Sequence, residues 1–196
     1  VCEQTEKPAE AKKRGYKAVV RREVVRVVTP GTITEDALLD ARRHNYLAAV
    51  ADASENLALS WLDMSTGAFF VQPVDLSDLD AILARIEPGE LLVPERLNAR
   101  KEFANIFSEF EDVLAPMPDT CFDSEAGSKQ LQSIFGVKAL DIFDDCQRAE
   151  ISAAGAVVAY VQLTQKGKLP SLQLLRRLSG GETMEIDAAT RRNLEL

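Results

Sequence analysis

Two hydrophobic periods alternate along the chain. Residues 18–28, Ala-Val-Val-Arg-Arg-Glu-Val-Val-Arg-Val-Val, are dense in β-branched side chains, which predicts a strand. Val20, Val24 and Val28 would share one face with Arg22 and Arg26, leaving Val19, Val25 and Val27 on the other. Thr29-Pro30-Gly31-Thr32 ends the run, because Pro lacks an N–H donor and Gly accepts unusual dihedrals. Helical spacing at Ala37, Leu38, Ala41 and Arg42 then predicts a linker helix within 31–43.

From His44 the pattern becomes that of a compact α/β unit. Leu47–Ala51, Leu57–Leu62 and Ala68–Gln72 predict three strands in an antiparallel meander, with a turn at Asp63-Met64-Ser65-Thr66-Gly67. Leu76, Leu79, Ile82, Leu83 and Ile86 fall on one helical face, and Pro88-Gly89 stops that helix. A buried strand is expected at Glu90–Pro94, a helix over Arg96–Phe107 and a strand at Val113–Ala115. Two further helices are marked by Leu131, Ile134 and Phe135, ending at Gly136, and by Ile151, Ala154, Val158 and Val161, running to Lys166-Gly167. Residues 167–183 look like a linker with a short helix at Leu172–Leu178, and 184–196 would begin another unit. Three antiparallel strands, a helix, a strand and further helices is the order of a ribonuclease-H-like α/β fold, a mixed sheet with flanking helices. That order carries no claim of nuclease activity.

Charge separates the two regions. The net charge of -8 conceals residues 1–30, with 8 Lys/Arg against 4 Asp/Glu, and residues 31–196, with 15 against 27. Phosphate backbones need concentrated positive charge, so nucleic acid is expected only at the N-terminal piece. There Arg22 and Arg26, on one strand face, are the candidates for the DNA backbone. Lys12, Lys13 and Arg14 read as solvated surface.

The remaining chemistry is sparse. Cys2, Cys121 and Cys146 have no C-x-x-C spacing and His44 is the only histidine, so no metal site is expected. The odd cysteine count suggests reduced thiols in a cytoplasmic protein. No apolar run approaches the ~20 residues that cross a bilayer. A chain that opens on Val1 and stops inside an apolar pattern at 192–196 is expected of a segment of something longer. Gly167-Lys168 is the nearest approach to a phosphate loop, but Gln162 and Leu169 stand where the motif needs glycine and a hydroxyl, so no cofactor is expected. Asp52, Asp63 and Glu90 are the one carboxylate set at strand ends that a two-metal nuclease would draw together. The plainer expectation for Asp63 is turn chemistry. Phe107-Ser108-Glu109 spells F-x-E, read here as a helix end with a buried Phe. No catalytic residue is expected.

Several stretches, in order, resemble the MutS family of bacterial DNA mismatch-repair proteins. Cys2-Glu3-Gln4 and Arg22–Thr32 resemble the end of its mismatch-recognition domain. Asp63-Met64-Ser65-Thr66-Gly67 and Pro88-Gly89-Glu90-Leu91-Leu92 resemble its connector, and Asp187–Leu196 resembles the first helix of its core, or lever, domain. The resemblance implies a remnant of the mismatch domain at 1–30, a linker helix at 31–43, the connector at 44–166, a linker at 167–183 and the core entry at 184–196. It also implies a ribonuclease-H-like connector that couples a DNA clamp to an ATPase and docks MutL. Full-length members bind mismatched double-stranded DNA as homodimers and use ATP and magnesium. Their base-stacking Phe and Glu and their ATPase motifs fall outside this chain. The rival readings are a metal-dependent ribonuclease-H-like nuclease and a purely structural spacer.

Overall fold

The computed structural model describes residues 1–15, 18–24, 27–32, 44–136, 146–165 and 171–178. Its centre is a six-stranded mixed sheet of β3 (Tyr46–Ala53), β4 (Asn56–Asp63), β5 (Phe69–Val74), β6 (Glu90–Pro94), β7 (Leu114–Met117) and β8 (Arg176–Arg177). The strands lie in the order β7-β6-β3-β4-β5-β8. β3, β4 and β5 form the expected antiparallel meander; β6 runs parallel to β3, β7 parallel to β6, and β8 parallel to β5.

Helices cover both faces, so the central strands are apolar throughout rather than alternating. Leu47, Ala48, Ala49, Val50 and Ala51 are all fully buried. The odd-numbered side of β3, with Leu62, Phe69, Val71 and Leu92, packs under α5 (Ser124–Phe135) and α6 (Arg148–Thr164). The other side, with Leu59, Trp61, Leu91 and Val93, packs against α2 (Leu76–Ile86), α3 (Glu95–Asn98) and α4 (Ala104–Glu109). This is a mixed α/β sheet with flanking helices.

The N-terminal region adds α1 (Pro8–Lys13) and a two-stranded antiparallel ribbon of β1 (Cys2–Gln4) and β2 (Arg22–Val24). The expected long strand at 18–28 is therefore only three residues within the described part. Its β-branched side chains have no second layer there, and Val19 is 84% exposed, so propensity alone does not extend the ladder. The helix expected over Arg96–Phe107 is broken into α3, a 3-10 turn at Lys101–Phe103 and α4. Phe103 and Phe107 stack with ring centroids 5.4 Å apart, holding the break against the sheet. The linker helix expected within 31–43 lies outside the described residues from 33 onward, as does the core entry at 184–196.

The short helix expected at Leu172–Leu178 is instead an extended segment ending in β8. Its Leu spacing is helical, but Gln173 N–H donates to Gly67 O at 2.8 Å and Leu178 N–H to Val71 O at 2.8 Å. These pairings on the sheet edge, with Leu175 buried, outcompete an isolated helix of about two turns. Gly67 makes the docking possible. Its φ is +75°, and a Cβ there would lie 2.0 Å from Ser171 O. Replacing Gly67 with Val should cost roughly 1–3 kcal/mol from backbone strain, plus release of 171–178. A lowered Tm with raised amide exchange over 171–178 is the expected result; an unchanged Tm would show that the turn tolerates a side chain.

Candidate functional site

The three strand-end carboxylates do not converge. Asp63 is paired across the ladder with Tyr46 and Asp52 with Leu57, at opposite ends of β3. Six residues at about 3.3 Å each put them roughly 20 Å apart. Glu90 pairs with Leu47 near the Asp63 end, but shares its face with Leu92, under α6, whereas Asp63 shares its face with Trp61 on the opposite side. Two-metal chemistry needs about 4 Å between ions, so the nuclease reading is overturned by this geometry. Among the described residues no group of His, Cys, Asp and Glu gathers to hold a metal.

Each carboxylate has a structural task instead. Asp52 is clasped by α3 and its exit: Arg96 Nη1 and Arg100 Nη1 donate to its Oδ2 at 3.0 and 3.1 Å. Its Oδ1 is touched by Arg96 Nη2 at 2.6 Å, in a direction that makes a charge contact rather than an aligned hydrogen bond. Asp63 closes the β4–β5 turn, accepting from Ser65 N–H at 2.9 Å, from the Ser65 hydroxyl, and from His44 Nδ1 at 3.1 Å. Burial pushes its carboxyl up, but the bonds from Ser65, His44 and Thr66 outweigh that and hold it below the ordinary value. His44 itself stacks on Tyr46 and is largely exposed. Phe107 is buried in α4, which leaves the F-x-E stretch as core packing.

Glu90 is the most informative of the three. It is 7% exposed and faces three donors. Tyr160 OH on α6 donates to Oε1 at 2.6 Å; Thr29 OH and Gly31 N–H donate to Oε2 at 2.6 and 3.2 Å. Thr29 has one hydroxyl proton, and Glu90 takes it, so Thr32 OH is the donor in the 2.7 Å Thr29–Thr32 contact. Gly31 is required by closeness rather than by φ: a Cβ would fall 2.4 Å from Glu90 Cβ. Two further bonds seat the same segment on the end of α6. Val27 N–H donates to Thr164 O at 2.9 Å and Gln165 Nε2 to Thr32 O at 3.3 Å. The first of these satisfies one of the carbonyls that every helix leaves open at its C-terminus.

The site is thus a joint, where the chain leaves the N-terminal ribbon and enters the sheet domain. Thr29-Pro30-Gly31-Thr32 and Pro88-Gly89-Glu90, far apart in sequence, meet there. Tyr160, Thr164 and Gln165 escaped notice in the sequence because a Tyr on an apolar helix face reads as core. Of the DNA-backbone candidates, Arg22 sits exposed on β2, and Arg26 lies outside the described residues. An open cleft of about 740 Å3 at the far end of the sheet is lined by Asp52, Glu55, Asp75, Asp78 and Glu102, with Arg85 and Arg100, a mostly acidic wall unsuited to an anion.

A mixed α/β domain fastened at one joint to the end of a preceding unit is the class this geometry defines. Residues 45–173 match the family model MutS domain II, and residues 1–37 match MutS domain I. The chain is similar along its whole length to proteins named DNA mismatch repair protein MutS. It is 53% identical to that of a Ruegeria species, 52% to that of Cereibacter sphaeroides and 50% to that of Paracoccus denitrificans, spanning 22% of each. The chain belongs to the MutS family.

Tyr160 gives the joint a pH signature. Burial, then its bond to Glu90, push the phenol up to about 12. A phenol raised in the folded state keeps its full contribution below the unfolded value of about 10 and loses it as pH climbs between the two. Stability measured by urea should fall across that window. In Tyr160→Phe the fall should be shallower, with about 1–3 kcal/mol already lost at neutral pH because Glu90 loses a donor. Parallel alkaline limbs would remove Tyr160 from the joint.

Proposed function

We propose that this chain is the connector region of a mismatch-repair protein. In this reading 1–30 is the end of the mismatch-recognition domain, 31–43 a linker helix, 44–166 a ribonuclease-H-like connector, 167–183 a linker and 184–196 the entry to the core domain. The region has no catalytic task of its own and holds no cofactor. In the full-length cytoplasmic protein it couples a homodimeric clamp on mismatched DNA to an ATPase that uses ATP and magnesium, and it presents a surface to MutL. The observation that carries the reading is the Glu90 joint. A segment that merely spaced two domains would have no need to bury a carboxylate against the incoming chain, since such burial is costly unless every oxygen is satisfied.

Two experiments test it. The fragment, immobilised, should retain the N-terminal domain of its cognate MutL from a purified solution. Failure of retention would reduce the region to a spacer. In the full-length protein, Arg22→Ala and Arg26→Ala should weaken homoduplex and mismatch binding about equally, because backbone contacts carry no base information. Each should lower the slope of log affinity against log salt by about one unit. An unchanged slope in the double variant would leave 1–30 as a solvated remnant.

A further inference from the structure

A second buried glutamate lies on the same helix as the joint. Glu150 is fully buried near the start of α6, where its Oε2 accepts from Gln147 N–H at 2.7 Å in a capping box. Its other contact is to the outgoing chain: Arg177 on β8 donates Nε to Oε1 at 2.8 Å and Nη2 to Oε2 at 3.3 Å. Arg177 is partly exposed, but without it the buried Glu150 carboxylate would lose two of its donors, so the pair pins 171–178. The incoming chain grips the opposite end of the same helix directly at Thr164 and Gln165, and reaches Tyr160 through the Glu90 carboxylate that Thr29, Gly31 and Tyr160 share. Between Glu150 and Thr164 the helix rises about 20 Å, at 1.5 Å per residue.

We infer that α6 is a strut holding the incoming and outgoing chain segments in fixed register, with Glu90–Tyr160 as the entry clamp and Glu150–Arg177 as the exit clamp. This rests on the connector reading and deepens it, by naming the element through which displacement at one junction reaches the other. The helix suits the task. Its buried positions, including Ala153, Ala154, Val157, Val158 and Val161, lie against β3, β4 and β5, so it cannot bend without disturbing the core. Release of the incoming segment loosens Tyr160 and frees the Thr164 carbonyl, and the shift is felt at Glu150 through one continuous hydrogen-bonded rod. The two clamps lie about 20 Å apart along the helix, and sites so far apart respond independently by default.

The test is amide exchange in the full-length protein, read at three places: 27–32, 171–178, and β3 as an internal control for global unfolding. Tyr160→Phe and Arg177→Met each remove one clamp while keeping apolar bulk. Thr29→Val removes a hydroxyl from the incoming segment itself and leaves the core untouched, should Tyr160→Phe fold poorly. Each variant should speed exchange at its own clamp by about 5- to 30-fold, the equivalent of a lost hydrogen bond or two. The strut also requires a several-fold rise at the opposite clamp, equal in both directions, with β3 still protected. Exchange confined to the altered clamp, in Tyr160→Phe or Thr29→Val and in Arg177→Met, overturns it. DNA-dependent nucleotide exchange is measured on the same samples. If the cross-effect is present while wild-type protein shows no such dependence, the strut stands and the coupling assigned under the proposed function falls.

Discussion

A carboxylate shut away from water must be answered by donors, and Glu90 draws three donors from two distant parts of the chain. One is the backbone at Gly31, one the hydroxyl of Thr29, and one the phenol of Tyr160 on α6. An unanswered buried carboxylate costs several kcal/mol, comparable with the whole stability margin of a small domain. The fold therefore has little freedom over where the incoming segment goes. It must lie across the start of β6 and the end of α6, close enough that residue 31 can carry no side chain.

Three other acidic residues, two at strand ends and one in the first turn of α6, obey the same rule with different partners. Asp52 is answered by two guanidinium groups, Asp63 by a serine turn and a histidine, and Glu150 by Arg177 and a helix N-terminus. Each fastens a strand or helix end to whatever follows it. The result is an acidic domain whose strand-end carboxylates are spent on architecture, held too far apart to share a metal ion. That arrangement agrees with membership of a repair family and with relatives that are more than three-quarters other sequence.

Legibility followed burial. Strands β3 to β6 and helices α2, α5 and α6 were evident from period alone, because each buries a continuous apolar face and has clear stop signals such as Pro88-Gly89. Misjudged elements were those with weak or borrowed partners. Residues 18–28 have strong β-propensity but little to pack on, and 172–178 have helical leucine spacing but an open sheet edge beside them. In the first, propensity found no partner to extend it; in the second, a tertiary partner overrode local preference. Of the site, Glu90, Gly31 and Thr29 stood inside stretches that carried the family resemblance, yet nothing in their spacing paired them.

The sequence by itself determined the mixed α/β class, the meander and its helices, and the family, since these depend on local period and on residues in linear order. Its expectations about chemistry, from a single histidine and the lack of phosphate-loop and paired-cysteine spacing, rest on composition and motif spacing alone. Only the tertiary structure decided what the carboxylates do. Whether Asp52, Asp63 and Glu90 meet or part depends on which face and which end of the sheet each occupies, and a shift of one residue along a strand reverses the face. Likewise, the Glu90 joint and the Glu150–Arg177 pair join residues separated by long stretches of chain. Such contacts are set by how helices and strands stack, a result of the whole core closing at once.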